Sequence, residues 1–178
     1  MASNGGDRRL KIDPELPRLA AKGLRFAIVV SRWNSKFTSR LEAGAREGLT
    51  AAGTSDDDIE TFHVPGAFEL PLASIAAADS DRFDAVIALG VVIRGDTPHF
   101  DYVAGQAASG IMRASIDTGV PVLFGVITAD NVEQVEARSG SGRDNKGYEA
   151  AISAIEMVHT LREIDKVRSE EKVFPHVV

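Results

Sequence analysis

Cysteine is absent from all 178 residues, which removes disulfides, thiolate nucleophiles and Cys-ligated zinc or iron–sulfur sites together. Long apolar runs are also missing. A bilayer span needs about 20 such residues, and the longest run here, Ala85 to Ile93, is closed by Asp84 and Arg94. The first 23 residues carry charges and prolines but no apolar stretch of signal-peptide type. Positive charge is in the minority, with 20 Lys+Arg against 26 Asp+Glu and a net charge of −6. That balance argues against electrostatic binding to nucleic acid or an anionic membrane. Several motifs with fixed chemistry are absent too: the GxxxxGK[ST] phosphate loop, GxGxxG after the first strand, HExxH and GxSxG. What remains is 44% hydrophobic and 26% charged. This mixture excludes disordered and collagenous classes and suits one domain with a proper core. A soluble, cytoplasmic protein is expected.

Four apolar, β-branched runs stand out: Phe26 to Ser31, Ile59 to Val64, Ala85 to Ile93 and Val122 to Thr128. Continuously apolar runs suit strands buried on both faces, as in a parallel sheet. The second run is more polar and belongs at an edge. Helical stripes lie between them. Leu41, Ala45, Leu49 and Ala52 mark the first, stopped by Gly53; Leu70 to Ala78 form a short second. Val103, Ala107, Ile111 and Ala114 mark a third that ends near Gly119 and Pro121, and Ala151, Ile155, Val158 and Leu161 mark another that starts near Asn145. Such alternation with short connections implies right-handed βαβ crossovers: an α/β fold, a four-stranded parallel sheet with helices on both faces. Residues 1–23 read as a flexible or edge-pairing tail, 24–168 as the single domain and 169–178 as a frayed end. The third helix carries Ala104, Gly105, Ala107, Ala108, Ser109 and Gly110 close together. Glycine costs roughly 1 kcal/mol in a helix interior, so this face suits close approach, either to a second subunit or to the helix's own sheet.

In open parallel sheets, ligands bind beyond the carboxyl ends of the strands, which selects four loops. After the first strand stand the only Trp, Trp33, and Asn34, an amide able to read a heterocycle edge or to cap a helix. After the second, Pro65-Gly66 makes a turn into a helix start bearing Ala67, Phe68 and Glu69. Glu69 there either accepts hydrogen bonds from ligand hydroxyls or simply complements the helix dipole. After the third, Gly95, Asp96 and Thr97 offer free amides and a hydroxyl suited to phosphate. His99 follows where a proton acceptor and donor is wanted, a task suited to an imidazole. Asp101 either orients a cation or caps the helix. After the fourth, Thr128 to Asn131 begin a helix, and Arg138 and Lys146 are cations suited to phosphate or to solvated surface.

These loops resemble a known family over Phe26 to about Asp165. Arg32-Trp33-Asn34, the string from Val64 to Pro71 (VPGAFELP), the string from Gly90 to Tyr102 (GVVIRGDTPHFDY) and Asn145-Lys146-Gly147 together resemble the 6,7-dimethyl-8-ribityllumazine synthases. The resemblance implies a three-layer α/β/α sandwich of flavodoxin-like type. It also implies a condensation of 5-amino-6-(D-ribitylamino)uracil with 3,4-dihydroxy-2-butanone 4-phosphate, the penultimate step of riboflavin biosynthesis. No cofactor and no metal are implied. The partners implied are small-molecule substrates and copies of the same chain, in a homopentamer or an icosahedral sixty-subunit capsid with sites between subunits, with riboflavin synthase as a further candidate; neither nucleic acid nor membrane is among them. Carried over by position, Trp33 stacks on the pyrimidine, where relatives usually have Phe. Asn34, Ala67, Phe68 and Glu69 surround ring and ribityl chain, Val92 and Ile93 offer backbone groups, and Phe124 comes from the neighbouring subunit. Gly95, Asp96 and Thr97 bind phosphate with the neighbour's Arg138, and Lys146 is an additional candidate. His99 is the catalytic proton-transfer residue. Many relatives have Lys where this chain has Gly142. Two rival functions are a flavin-carrying module without turnover and a container in which assembly is the main role.

Overall fold

The computed structural model describes residues 20–171. Strands β1 (Phe26–Ser31), β2 (Ile59–Val64), β3 (Ala85–Ile93) and β4 (Val122–Ala129) form one parallel sheet in the order β2-β1-β3-β4. The first three coincide with the apolar runs, and β4 is one residue longer than its run. Helices α1 (Ser35–Ala51), α4 (Val132–Arg138) and α5 (Lys146–Glu171) lie on one side, and α2 (Leu70–Ala78) and α3 (His99–Thr118) on the other. This is the expected three-layer arrangement. No helix among the described residues is long and apolar enough to cross a membrane.

Residue alternation along the strands builds both cores. On β3, Ala85, Ile87, Leu89 and Val91 enter the cluster formed with Leu41, Ala45 and Leu49 of α1 and Ala151, Ala154 and Ile155 of α5. Val86, Ala88 and Val92 enter the opposite cluster, with Leu70 of α2 and Ala107, Ile111 and Ala114 of α3. Each fully buried Val, Leu or Ile contributes about 1.5–3 kcal/mol relative to exposure, which explains why β1 and β3 contain almost nothing polar. The two outer strands differ. β2 sits at an edge, as its polar pattern implies, but so does apolar β4, where Phe124 remains 38% exposed. A continuous apolar run does not guarantee burial on both faces in an edge strand.

The ends of the chain depart slightly from the boundaries read in the sequence. Ala21 is fully buried and its amide donates to the Ala52 carbonyl at 2.9 Å, so packing begins three residues before position 24. At the other end, α5 continues through Glu171. The rest of the expected tails, residues 1–19 and 172–178, lies outside the described residues. The small-residue face of α3 divides. Ala104 and Ala107 pack inwards, and a Cβ at Gly110 would press on the Pro71 ring at 2.6–2.7 Å. Gly105, Ala108 and Ser109 face outwards beside exposed Tyr102, Met112 and Ile116.

One buried amide fixes the loop before α5. Asn145 is 1% exposed. Its Oδ1 accepts from the amides of Gly147 (2.8 Å) and Tyr148 (3.3 Å), capping the helix, while its Nδ2 donates to the carbonyls of Gly140 (2.6 Å) and Arg40 (3.0 Å). All four hydrogen-bonding positions of the amide are used. Glycine is required on both sides: a Cβ at Gly147 would collide with the Leu41 carbonyl, and one at Gly44 with Asn145 itself. Replacing Asn145 with Ala removes a cap and strands two carbonyls, so unfolding free energy should fall by about 2–4 kcal/mol in denaturant titration. A loss below about 0.5 kcal/mol would contradict the role.

At the surface, Lys36 (2.8 Å) and Arg40 (2.5 Å) of α1 hold the Glu136 carboxylate of α4. Hydrogen bonds from Lys36 and then Arg40 keep the Glu136 pKa below the ordinary carboxylate value. A depressed pKa in the folded state means stabilisation that is present above the ordinary value and lost as pH falls through the lowered one. Stability measured from about pH 6 to pH 3 should therefore drop more steeply for the wild type than for Glu136→Gln. Parallel curves would contradict the ion pairing.

Candidate functional site

Parallel strands end at one edge of the sheet, and there the loops after β1, β2 and β3 enclose a cleft of about 610 Å³, a normal size for a small-molecule site. Backbone hydrogen bonds tie the first two loops together: the Arg32 amide donates to the Val64 carbonyl at 2.9 Å and the Trp33 amide to the Pro65 carbonyl at 3.1 Å. Trp33, 73% exposed, stands at the rim with exposed Phe68. Two aromatic faces free of core packing are available to a planar ligand.

Asn34 has positive φ (61°) and occupies the position before α1, but its side chain makes no cap. Instead Nδ2 donates to the Val91 carbonyl at 3.0 Å, tying the β1 loop to β3 and aiming the amide into the cleft wall. Glu69 behaves as a helix-start residue in part: its Oε2 accepts from the Gly66 amide at 2.9 Å. Both alternatives read from the sequence remain compatible, because the second carboxylate oxygen makes no such bond among the described residues.

His99 is the first residue of α3, exposed, and its ring makes no hydrogen bond among the described residues. Asp96 and Thr97 likewise make no side-chain hydrogen bonds among those residues. Asp101 does not cap α3; it meets the Arg94 guanidinium in a two-pronged contact (3.1 and 3.3 Å). Arg94 also donates through Nε to Asp130 at 3.1 Å and lies 4.0 Å from the centre of the Phe100 ring. Hydrogen bonds to Asp101, then to Asp130, hold the Arg94 pKa above its usual value.

The structure thus brings Trp33, Asn34, Ala67, Phe68, Glu69, Val92, Ile93, Gly95, Thr97 and His99 around one cleft. Asp96 lies in the same loop without lining it. Phe124, Arg138 and Lys146 do not line it either. Arg138 ends α4 and pairs with Glu149 of α5 at 3.3 Å, and Lys146 meets the same carboxylate at 3.0 Å. Two cations share one anion, leaving a locally positive patch. Sequence reading gave no role to Glu149, although its i, i+3 spacing from Lys146 on a helix predicts that pair. It also omitted Pro65, Gly66, Val91, Phe100, Tyr102 and Val103 from the site; the last two lie within a turn of His99 on α3. Among the described residues, no His, Asp and Glu side chains gather in a group that could ligate a metal.

A family model described as 6,7-dimethyl-8-ribityllumazine synthase matches residues 23–162. A protein of Syntrophus aciditrophicus (strain SB) named 6,7-dimethyl-8-ribityllumazine synthase is 54% identical over 147 residues, covering 83% of this chain and 96% of the relative. With the parallel α/β/α fold and the cleft behind β3, these matches establish that the chain belongs to the 6,7-dimethyl-8-ribityllumazine synthase family, transferases that form a lumazine in riboflavin biosynthesis.

Proposed function

We propose that the chain joins 5-amino-6-(D-ribitylamino)uracil to 3,4-dihydroxy-2-butanone 4-phosphate, giving 6,7-dimethyl-8-ribityllumazine with release of phosphate and water. The observation that carries this reading is the cleft itself. One wall is aromatic and amide-bearing (Trp33, Phe68, Asn34), and the other is a loop whose Gly95, Asp96 and Thr97 amides donate no hydrogen bond among the described residues and which ends in His99 at the start of a 20-residue helix.

The pyrimidine substrate brings its own amine, so the protein needs no thiol or Schiff-base lysine. Its work is positioning two molecules, holding a dianion and moving protons during imine formation, phosphate elimination and ring closure. In this reading Trp33 covers the ring, Asn34, Ala67, Phe68 and Glu69 enclose ring and ribityl chain, and backbone groups of Val92 and Ile93 meet the pyrimidine edge. Gly95, Asp96 and Thr97 hold phosphate at the α3 N-terminus. His99 accepts and returns the proton. The second half of the anion site, Arg138 with Lys146 and the pocket-lining Phe124, comes from a neighbouring copy. Two observations support that sharing. The Arg138–Lys146 patch carries more positive than negative charge, and Tyr102, Met112 and Ile116 leave an apolar stripe on α3 that a second copy would cover. A homopentamer, closed or built into a shell, is the proposed assembly.

Mixing both substrates with the purified protein should produce the lumazine chromophore; its absence would overturn the reading. Arg138→Ala should chiefly raise KM for the butanone phosphate. Loss of a charged hydrogen-bonding partner of about 1.5–3 kcal/mol corresponds to about 10- to 150-fold. Unchanged KM and rate would remove Arg138 from the anion site. His99→Ala should lower kcat by less than about a hundredfold, because positioning dominates over proton transfer. A loss near ten-thousand-fold would reverse that ranking.

A further inference from the structure

The loop that follows β3 holds its shape with little help from its own side chains. Gly95 to His99 are exposed, a Cβ on Gly95 would meet nothing within 4 Å, and Asp96, Thr97 and His99 form no side-chain hydrogen bonds among the described residues. What fixes both of its ends is Arg94. Its backbone amide donates to the Ala129 carbonyl at 2.9 Å, extending the β3–β4 ladder by one residue. Its guanidinium reaches across the loop to Asp101 in the first turn of α3, rests over the Phe100 ring, and binds Asp130 at the start of the β4–α4 connection. One side chain therefore joins the end of β3, the start of α3 and the end of β4.

We propose that Arg94 is a positioning residue for the phosphate-bearing substrate, closing the 95–98 loop so that its backbone amides and His99 stand in fixed relation. This rests on the function proposed above. Arg94 does not touch substrate; it acts through Asp101 and through the path of the loop. The geometry explains why arginine is needed. Only a planar fork can engage Asp101 with two nitrogens while a third meets Asp130, and a lysine ammonium offers one point of charge. Exposed ion pairs in general add little to global stability, so the effect falls on the site and not on the fold.

The test uses the full chain with Arg94→Gln, Arg94→Lys, Asp101→Asn and the Gln/Asn double variant. It reads KM for each substrate separately, kcat, thermal midpoint and, by calorimetry, affinity for inorganic phosphate. For Arg94→Gln the proposal expects about a tenfold rise in KM for the butanone phosphate, a comparable loss of phosphate affinity, and less than about a twofold change for the pyrimidine. Lysine should not restore the wild-type value, and the double variant should be no worse than the worse single, as for residues acting through one contact. An unchanged KM and phosphate affinity in Arg94→Gln would overturn the proposal. So would full rescue by Lys, strictly additive effects, or equal losses for both substrates together with a collapsed thermal midpoint. The two readings fail separately. A wild-type chain that makes no lumazine defeats the proposed function, while the phosphate affinities still judge Arg94; a turning-over wild type matched by Arg94→Gln defeats only the positioning role.

Discussion

Parallel pairing forces all four strands to end at one edge of the sheet, and β3, buried on both faces between β1 and β4, sets where that edge lies. Everything functional in the chain is hung from that constraint. The loops after β1 and β2 are drawn together by two backbone hydrogen bonds, the amide of Asn34 ties them to Val91, and the chain leaving β3 at Arg94 turns directly into α3. A one-residue slip of β3 would exchange its two apolar faces and move every one of those attachments.

The division of labour follows from burial. Deep residues such as Ile87, Leu89 and Ala88 do nothing but pack. The residues that would meet substrate, Trp33, Phe68 and His99, are exposed and make few contacts of their own. Their placement therefore depends on polar side chains that tie one loop to the next: Asn34, which lines the cleft and also holds Val91, and Arg94, which does not line it. Asn145 performs for the Arg138–Lys146 region what Arg94 does for the His99 loop. It is fully buried and uses all its hydrogen bonds, whereas Arg94 is half-exposed and works through charge.

Much of this was legible in the sequence, because the relevant signals are local. Strands β1, β2 and β3 follow their apolar runs residue for residue, since burial on the α-helical layers demands alternation on both faces. α3 ends at Gly119, where the sequence places its end, with a left-handed φ of 72°, and Asn131 caps α4 by accepting from the Gln134 amide. Ten of the residues assigned to the site by motif line a single cleft. The rest depends on distance in three dimensions. Nothing in the sequence shows that Arg94 reaches Asp101 and Asp130, that Asn34 tethers Val91 instead of capping α1, or that the Glu149 carboxylate, besides its i, i+3 partner Lys146, also meets Arg138. Edge exposure of Phe124 was likewise hidden, because an apolar strand reads alike in the middle of a sheet and at its margin.

The central claim is that His99 of one copy and Arg138 of the next serve the same site. Co-refolding equal amounts of His99→Ala and Arg138→Ala chains and measuring lumazine formation with the butanone phosphate well below the wild-type KM, where both variants are slow, tests it directly. In mixed rings about a quarter of the interfaces would pair an intact His99 with an intact Arg138, so activity should rise well above the mean of the two separate variants. Activity equal to that mean, in particles shown to be mixed, would place both residues within one chain's site and contradict the account.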